Sequence, residues 1–290
     1  MFNLYNLNNN FDYLVRKRYS CRTFDGKGVE KEKLDILKNK IEKINSELKE
    51  IRFGIIDKRI LKSKNFFSRG TYGMFKGDIF YIVGAMKKNI PYGWEKFGFY
   101  MENLLMLAED INLNTCWIGG VFDRKGFGSE IDVKDDEIVP AIVPIGYAAE
   151  KRTLRDKIVR WSAKGDKRKN SEDLFFFGDF STPISLDNRK ELKEILENVR
   201  LAPSASNKQP WRFLFHSNNK LDFFIKRDKI YAKLIPSVDL QRIDIGIAIF
   251  HFLYSLKERG IEGKFFNKKI SFDNNFEYII GFEFKNKIFF

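Results

Sequence analysis

The chain has 290 residues, 43% hydrophobic and 16% aromatic with 30 phenylalanines, which excludes disorder as its main state and suits one large domain or two ordinary ones. Its 52 basic residues against 39 acidic ones leave a formal charge of +13, which a phosphate-bearing ligand or a lysine-rich compositional bias explains more readily than nucleic acid does. Two cysteines (Cys21, Cys116) and two histidines (His216, His251) exclude a disulfide framework and are too few for the common zinc-site patterns, so no metal is expected.

The opening MFNLYNLNNNFDYLVRKR has no apolar central region and no small-residue cleavage site, so no signal peptide is expected. No apolar run reaches the roughly 18 residues of a membrane helix, and a soluble cytoplasmic protein is the expectation. Leu34, Leu37, Ile41, Ile44 and Leu48 recur at helical spacing and predict a helix over 33–48. IRFGIID (51–57) predicts a strand, and IFYIVGAM (79–86) a second one buried on both faces. Residues 95–111 predict a helix with Phe97, Met101, Leu104, Leu105 and Ala108 inward. AIVPIGY (141–147) predicts a buried strand whose Pro144 implies an edge or irregular position. A strongly basic run, 151–169, then separates two similar halves.

In the second half Asp187 is expected to cap a helix carrying Leu192, Ile195, Leu196 and Val199. The turn-rich APSASNKQP (202–210) follows, then strands over 211–216 and 221–226, a helix over 243–258 stopped by Gly260, and the strand FEYIIGFEF (276–284). The pair GFYMENLLMLAEDINLN and IVPIGYA resembles the pair GIAIFHFLYSLKERGIE and YIIGFEF. This repeat predicts two related α+β lobes, 1–170 and 171–290, packed about a pseudo-twofold axis.

No nucleotide-binding glycine loop, nucleophile elbow or HExxH helix is present. His251 falls on the apolar face of a predicted helix and reads as core. Three segments remain. In RKRYSCRTF (16–24), Arg18, Ser20 and Arg22 alternate, so an extended backbone puts two guanidiniums and a hydroxyl on one face, suited to a phosphate and a planar electron-rich ligand. In APSASNKQPWRF (202–213), two prolines stiffen a loop that offers Ser204, Ser206, Asn207 and Gln209. In CWIGG (116–120), a glycine pair allows close backbone approach to a ligand. The alternatives are, in turn, a solvated basic turn, a loop anchored by Trp211, and a plain turn before a strand.

Together these segments resemble the flavin-dependent nitroreductase family. RYSCRTF is similar to its RRSxRxF pattern, APSASNKQPWRF to its APSxxNxQPWxF motif, NTCWIGG to its GxGTCWIGG turn, and IVPIGYAAEKR to its IGYPxEKR strand. The resemblance implies an α+β fold with mainly antiparallel sheets flanked by helices, and FMN held between two arms that family members take from two subunits. Here the arginine arm and the PSASN loop lie on opposite halves of one chain, which implies a fused, internally duplicated version with one FMN site. By motif, Arg18 and Ser20 would bind the FMN phosphate and Arg22 the pyrimidine edge. Pro203, Ser204, Ala205 and Asn207 would pack on the ring and ribityl chain. The backbone of Ile118, Gly119 and Gly120 would face the flavin, and Arg168 with Lys167 would take the place of a late phosphate-binding residue. RGTYG (69–73) is a further candidate for the pyrimidine. The implied activity is hydride transfer from NADH or NADPH through FMN to a nitroaromatic, quinone or similar acceptor, by a monomer, with no catalytic side chain, no nucleic acid and no membrane. The alternatives are a flavin-binding module without turnover and a basic nucleic-acid-binding protein on a degenerate flavin scaffold.

Overall fold

The computed structural model describes residues 2–60, 71, 75–150, 167–217, 219–228, 236–268 and 275–285. The basic run over 151–166 and, apart from Thr71, the RGTYG segment lie outside them. The first lobe runs α1 (Phe11–Lys17), α2 (Lys31–Glu47), β1 (Ile51–Asp57), β2 (Phe80–Lys87), α3 (Gly93–Asp110), β3 (Asn114–Thr115), α4 (Arg124–Glu130), β4 (Glu137–Ile138) and β5 (Ile142–Gly146). Its sheet has the order β1-β2-β5-β3, with β4 added on β2, and every pair is antiparallel. The second lobe runs β6 (Phe175–Phe177), α5 (Lys190–Leu201), β7 (Trp211–His216), β8 (Lys220–Lys226), α6 (Leu240–Glu258), β9 (Gly263–Phe266) and β10 (Phe276–Phe284). Its sheet order is β6-β7-β8-β10-β9, with β6–β7 the parallel pair. Both lobes thus repeat one plan, helix–strand–strand–helix–strand–strand with the same neighbour order.

Helices α3 and α6 are buried on nearly every side, which places them at the centre, where a helix needs no polar face. They cross where Gly98 and Gly246 meet. A Cβ on Gly98 would stand 2.2 Å from the Ile243 carbonyl oxygen, and one on Gly246 2.0 Å from the Glu95 oxygen. The contact is reciprocal, each glycine facing the residue three before the other, as a twofold relation requires. The two repeated sequence strings begin at these glycines. One continuous apolar core runs through both lobes around this crossing. A smaller cluster, including Tyr81, Ile118 and Phe127, lies under α4 on the outer face of the first sheet.

The N-terminal segment reaches over the second lobe. Leu7 N–H donates to Tyr254 at 2.8 Å, Phe11 N–H donates to Glu258 at 2.8 Å, and the Phe2 ring sits 5.1 Å from that of Phe265. Three details differ from the expectations, and Pro144 takes the irregular position expected of it. Asp187 does not cap α5; Asn188 turns left-handed (φ 58°) and the helix begins at Lys190. Helix α6 starts three residues earlier than expected, because the Asp239 side chain accepts from Arg242 N at 3.1 Å and opens an extra turn. Helix α3 buries Glu95, Glu102, Asn103 and Glu109 as well as its apolar face, since the second lobe covers its other side. Pro144 pairs with Tyr81 inside the sheet, and it is tolerated because pairing on its other side lapses between Thr115 and Ile118. No described helix is long and apolar enough to cross a membrane.

Candidate active site

Past α1 the chain becomes extended at Arg18 (φ −62°, ψ 133°) and runs beside the first sheet, bridging Ser20 to Thr115, Thr23 to Lys76 and Phe24 to Ala148. Alternation then turns Arg18, Ser20 and Arg22 toward one cavity, of about 280 Å³, while Cys21 is buried. That volume is close to the ~300 Å³ lower end of small-molecule sites. Arg18 is buried, and its Nη1 has no hydrogen-bond partner among the described residues. A buried guanidinium nitrogen without an acceptor is costly in a finished core and suits a wall that awaits an anionic ligand.

The second wall is the glycine turn after β3. Arg124 Nη1 donates to Gly120 O at 3.1 Å and Nη2 to Gly119 O at 2.5 Å, while the guanidinium stacks 4.5 Å over the Phe122 ring. With both carbonyls drawn toward Arg124, the trans peptides turn the N–H groups of Gly120 and Val121 the opposite way. No acceptor for these two donors occurs among the described residues. Behind the turn, Trp117 Nε1 donates to Glu102 Oε2 at 2.7 Å, and the other oxygen of Glu102 takes His251 Nε2 at 2.9 Å. His251 is therefore core, as expected, but it is also a link between the lobes. Burial pushes its imidazole below the usual range, so the neutral ring donates through Nε2.

The third wall comes from the second lobe. Ala202 is extended, as a residue before proline tends to be, and Ser206, Asn207 and Gln209 all have positive φ (49°, 54°, 45°). Such a loop persists only when its surroundings hold it. Gln209 N–H donates to Ser204 Oγ at 2.9 Å, and the Gln209 amide bridges Lys169 N and Arg200 O. The Asn207 side chain accepts from Arg168 Nη1 at 2.5 Å and donates to Lys167 O at 2.7 Å. Arg168 also donates to the Leu201 and Ala202 carbonyls at 3.0 Å each, capping the end of α5. The Asn207 amide is thus already engaged within the protein at both ends, although the residue lines the cavity.

Of the residues singled out from the motifs, Arg18, Ser20, Arg22, Ile118, Gly119, Gly120, Arg168, Pro203, Ser204, Ala205 and Asn207 all line this one cavity. Lys167 does not; its side chain is exposed, and only its carbonyl enters the network. The motifs missed the first turns of α6, whose Leu240, Ile243, Asp244 and Ile247 close the cavity. An acid inside the apolar run IDIGIAIF was the available signal. Asp244 Oδ1 accepts from Ala205 N at 2.9 Å, Oδ2 is buried without a partner among the described residues, and burial pushes the carboxyl well above the usual carboxylate range. Among the described residues no cluster of histidine, cysteine and acidic side chains could hold a metal ion.

A "putative nitroreductase" of Thermotoga maritima has a crystal structure similar over 97% of this chain and 96% of its own, with 18% identity and a TM-score of 0.57. An FMN-dependent nitroreductase of Clostridium difficile R20291 is 23% identical over 48% of this chain and 88% of its own, with a TM-score of 0.40. A nitroreductase family protein of Clostridium difficile 630 is 19% identical over 57% of this chain and 97% of its own, with a TM-score of 0.44. No curated protein matches the chain. The model of the family described as "Putative TM nitroreductase" matches residues 12–255, a span that contains the arginine arm, the glycine turn and the PSASN loop. On that match, which runs through both lobes and every wall of the cavity, the chain belongs to this nitroreductase family.

Proposed function

We propose that the protein is an FMN-dependent oxidoreductase that takes hydride from NADH or NADPH and passes electrons to a small acceptor such as a nitroaromatic or a quinone. The observation that carries this reading is the single cavity in which the arginine arm of one lobe faces the PSASN loop of the other. The chemistry of the walls fits the cofactor. Arg18, with its unpartnered Nη1, and the Ser20 hydroxyl suit a phosphate. Arg22 suits the acceptor-bearing pyrimidine edge, where a cation favours the anionic reduced state. The amides held outward by Arg124 suit a ring atom that accepts a hydrogen bond. Bound there, FMN would supply the hydride chemistry, and the side chains would bind it, orient it and exclude water.

The shared lobe plan supports an origin by internal duplication, with both arms of a two-subunit site now in one monomeric chain. One site per chain is supported by the fate of its counterpart. Phe99, which follows Gly98 as Ile247 follows Gly246, packs 4.7 Å from the Phe2 ring, and Phe2 in turn meets Phe265, so rings fill that place. A visible spectrum of the protein after addition of FMN and removal of the excess tests the reading. Retained flavin absorbance, bleached anaerobically by NADH or NADPH, is the expected result. Retained flavin that neither nucleotide bleaches indicates a binding module, and a colourless protein removes the flavin reading.

A further inference from the structure

Asp244 is the one acid among the described lining residues of the cavity, and its two oxygens differ. Oδ1 accepts the Ala205 amide at 2.9 Å, so it is the carbonyl-like oxygen of the group. Oδ2 is buried and has no hydrogen-bond partner among the described residues. A proton on this carboxyl therefore sits on Oδ2. Around it stand the apolar side chains of Leu240, Ile243 and Ile247 from the same helix, which give an ionised oxygen no solvation. The charged and titratable groups that share the cavity with it are Arg18 and Arg22 on the arm, Arg168 beside the loop and the Cys116 thiol on the glycine turn, and Asp239 at the head of α6 adds its charge. Glu95, on the packed helix α3, is turned to Arg242 at 3.1 Å. None of these reaches Oδ2 with a hydrogen bond.

We propose that Asp244 is a specificity-determining residue that presents a neutral carboxyl as hydrogen-bond donor to a carbonyl or nitro oxygen, or a ring nitrogen, of a conjugated reducible ligand in this cavity. The inference rests on the flavin reading for the nature of that ligand. The atom recognised belongs either to the flavin or to the electron acceptor bound beside it, because both are planar rings rich in acceptors and poor in donors. The cavity would thereby favour quinones and nitroaromatics over acceptors without such an oxygen. A group kept neutral by its surroundings offers a proton without bringing a negative charge to a ring that gains electrons. The high affinity of Asp244 for its proton, caused by burial, agrees with this placement.

The test compares wild type with Asp244→Asn and Asp244→Leu in two arms. In the first, FMN is titrated into flavin-free protein from pH 7 to 9.5, followed by fluorescence quenching. In the second, the KM for menadione is measured with FMN and nicotinamide nucleotide saturating. Wild-type affinity is expected to fall with rising pH in one arm, as the donor is lost. Asp244→Asn, which keeps an acceptor for Ala205 and a donor for the cavity, is expected to flatten that profile. Asp244→Leu is expected to weaken the same arm about three- to tenfold at pH 7, the span of one lost hydrogen bond. A change in the first arm assigns the contact to the flavin, and a change in the second to the acceptor. If Asp244→Leu also loosens the Ala205 tether, the pH profile of the Asn variant still decides, because a tether does not titrate away in wild type alone. Parallel pH profiles for wild type and Asn in both arms overturn the inference while leaving the flavin reading intact. Wild-type protein that takes up no FMN overturns both.

Discussion

At the residue scale the described walls of the site join three arginines to one acid, Asp244. Arg22→Ala is expected to weaken FMN binding ten- to a hundredfold, since a charged hydrogen bond contributes ~1.5–3 kcal/mol, and to lower the flavin potential. Equilibrium dialysis and a redox titration check this; unchanged values would make Arg22 a surface residue. The second residue-scale expectation concerns acid. His251 is depressed by burial, so the unfolded chain binds its proton first as pH falls. The neutral ring's contribution is therefore complete above the unfolded value of ~6.5 and is lost progressively below it. Urea midpoints at pH 7.5 and 5.5 should differ more for wild type than for His251→Gln. Much of this scale was readable in the sequence, because alternation in RYSCRTF and the stiff PSASN loop dictate which groups project together. The odd acid in IDIGIAIF was a signal, but the partners of Arg124 and Asp244 were not readable. One acts on carbonyls in its own turn and the other meets Ala205 thirty-nine positions away, and neither relation has a local pattern.

At the scale of elements, strands showed themselves best. The strand over 51–57 and those of 211–216 and 276–284 coincide with their sequence expectations, since continuous or alternating apolar residues bounded by polar ones leave little choice. The short pieces β3, β4, β6 and β9 were invisible, being two to four residues long and defined only by what they pair with. The central helices were identified, but their charged residues were not expected inside. Glu95 meets Arg242, which also bonds to Glu277, while Arg227 joins Glu277 to Asp239 at 2.6 Å each, so the buried acid is held in a chain of alternating charge across both lobes. The glycines at the crossing give the third prediction. Gly246→Ala places a methyl 2.0 Å from a backbone oxygen that cannot move aside, and should cost about 3 kcal/mol, the upper end of overpacking costs. A fall in Tm of roughly 6–12 °C is expected. Gly54→Ala, where the nearest atom would be 3.5 Å away, is the control and should melt near wild type.

For the whole molecule, the repeat seen in the sequence has its physical meaning in the α3–α6 crossing, where each lobe supplies what the other needs to bury. A separate dimer of such lobes would depend on concentration, whereas joined lobes face each other at a fixed and high effective concentration. Light scattering with flavin quantitation is expected to give a monomer carrying one FMN. A dimer, or two flavins per chain, would contradict the intramolecular arrangement.

The strap formed by the first dozen residues has a consequence for how the chain is made. Its anchors, Tyr254 and Glu258, lie 247 positions beyond Leu7 and Phe11. At ~5–20 residues per second a ribosome leaves the strap waiting roughly 12–50 s for its dock to be synthesised. During that interval Phe2 keeps its Phe99 contact, but Phe11 lacks the Phe250 and Tyr254 rings that cover it in the finished fold. The arm that carries Arg18, Ser20 and Arg22 bridges only to Thr115, Lys76 and Ala148 of the first lobe, so the anion-facing wall can settle while the strap before it is still waiting.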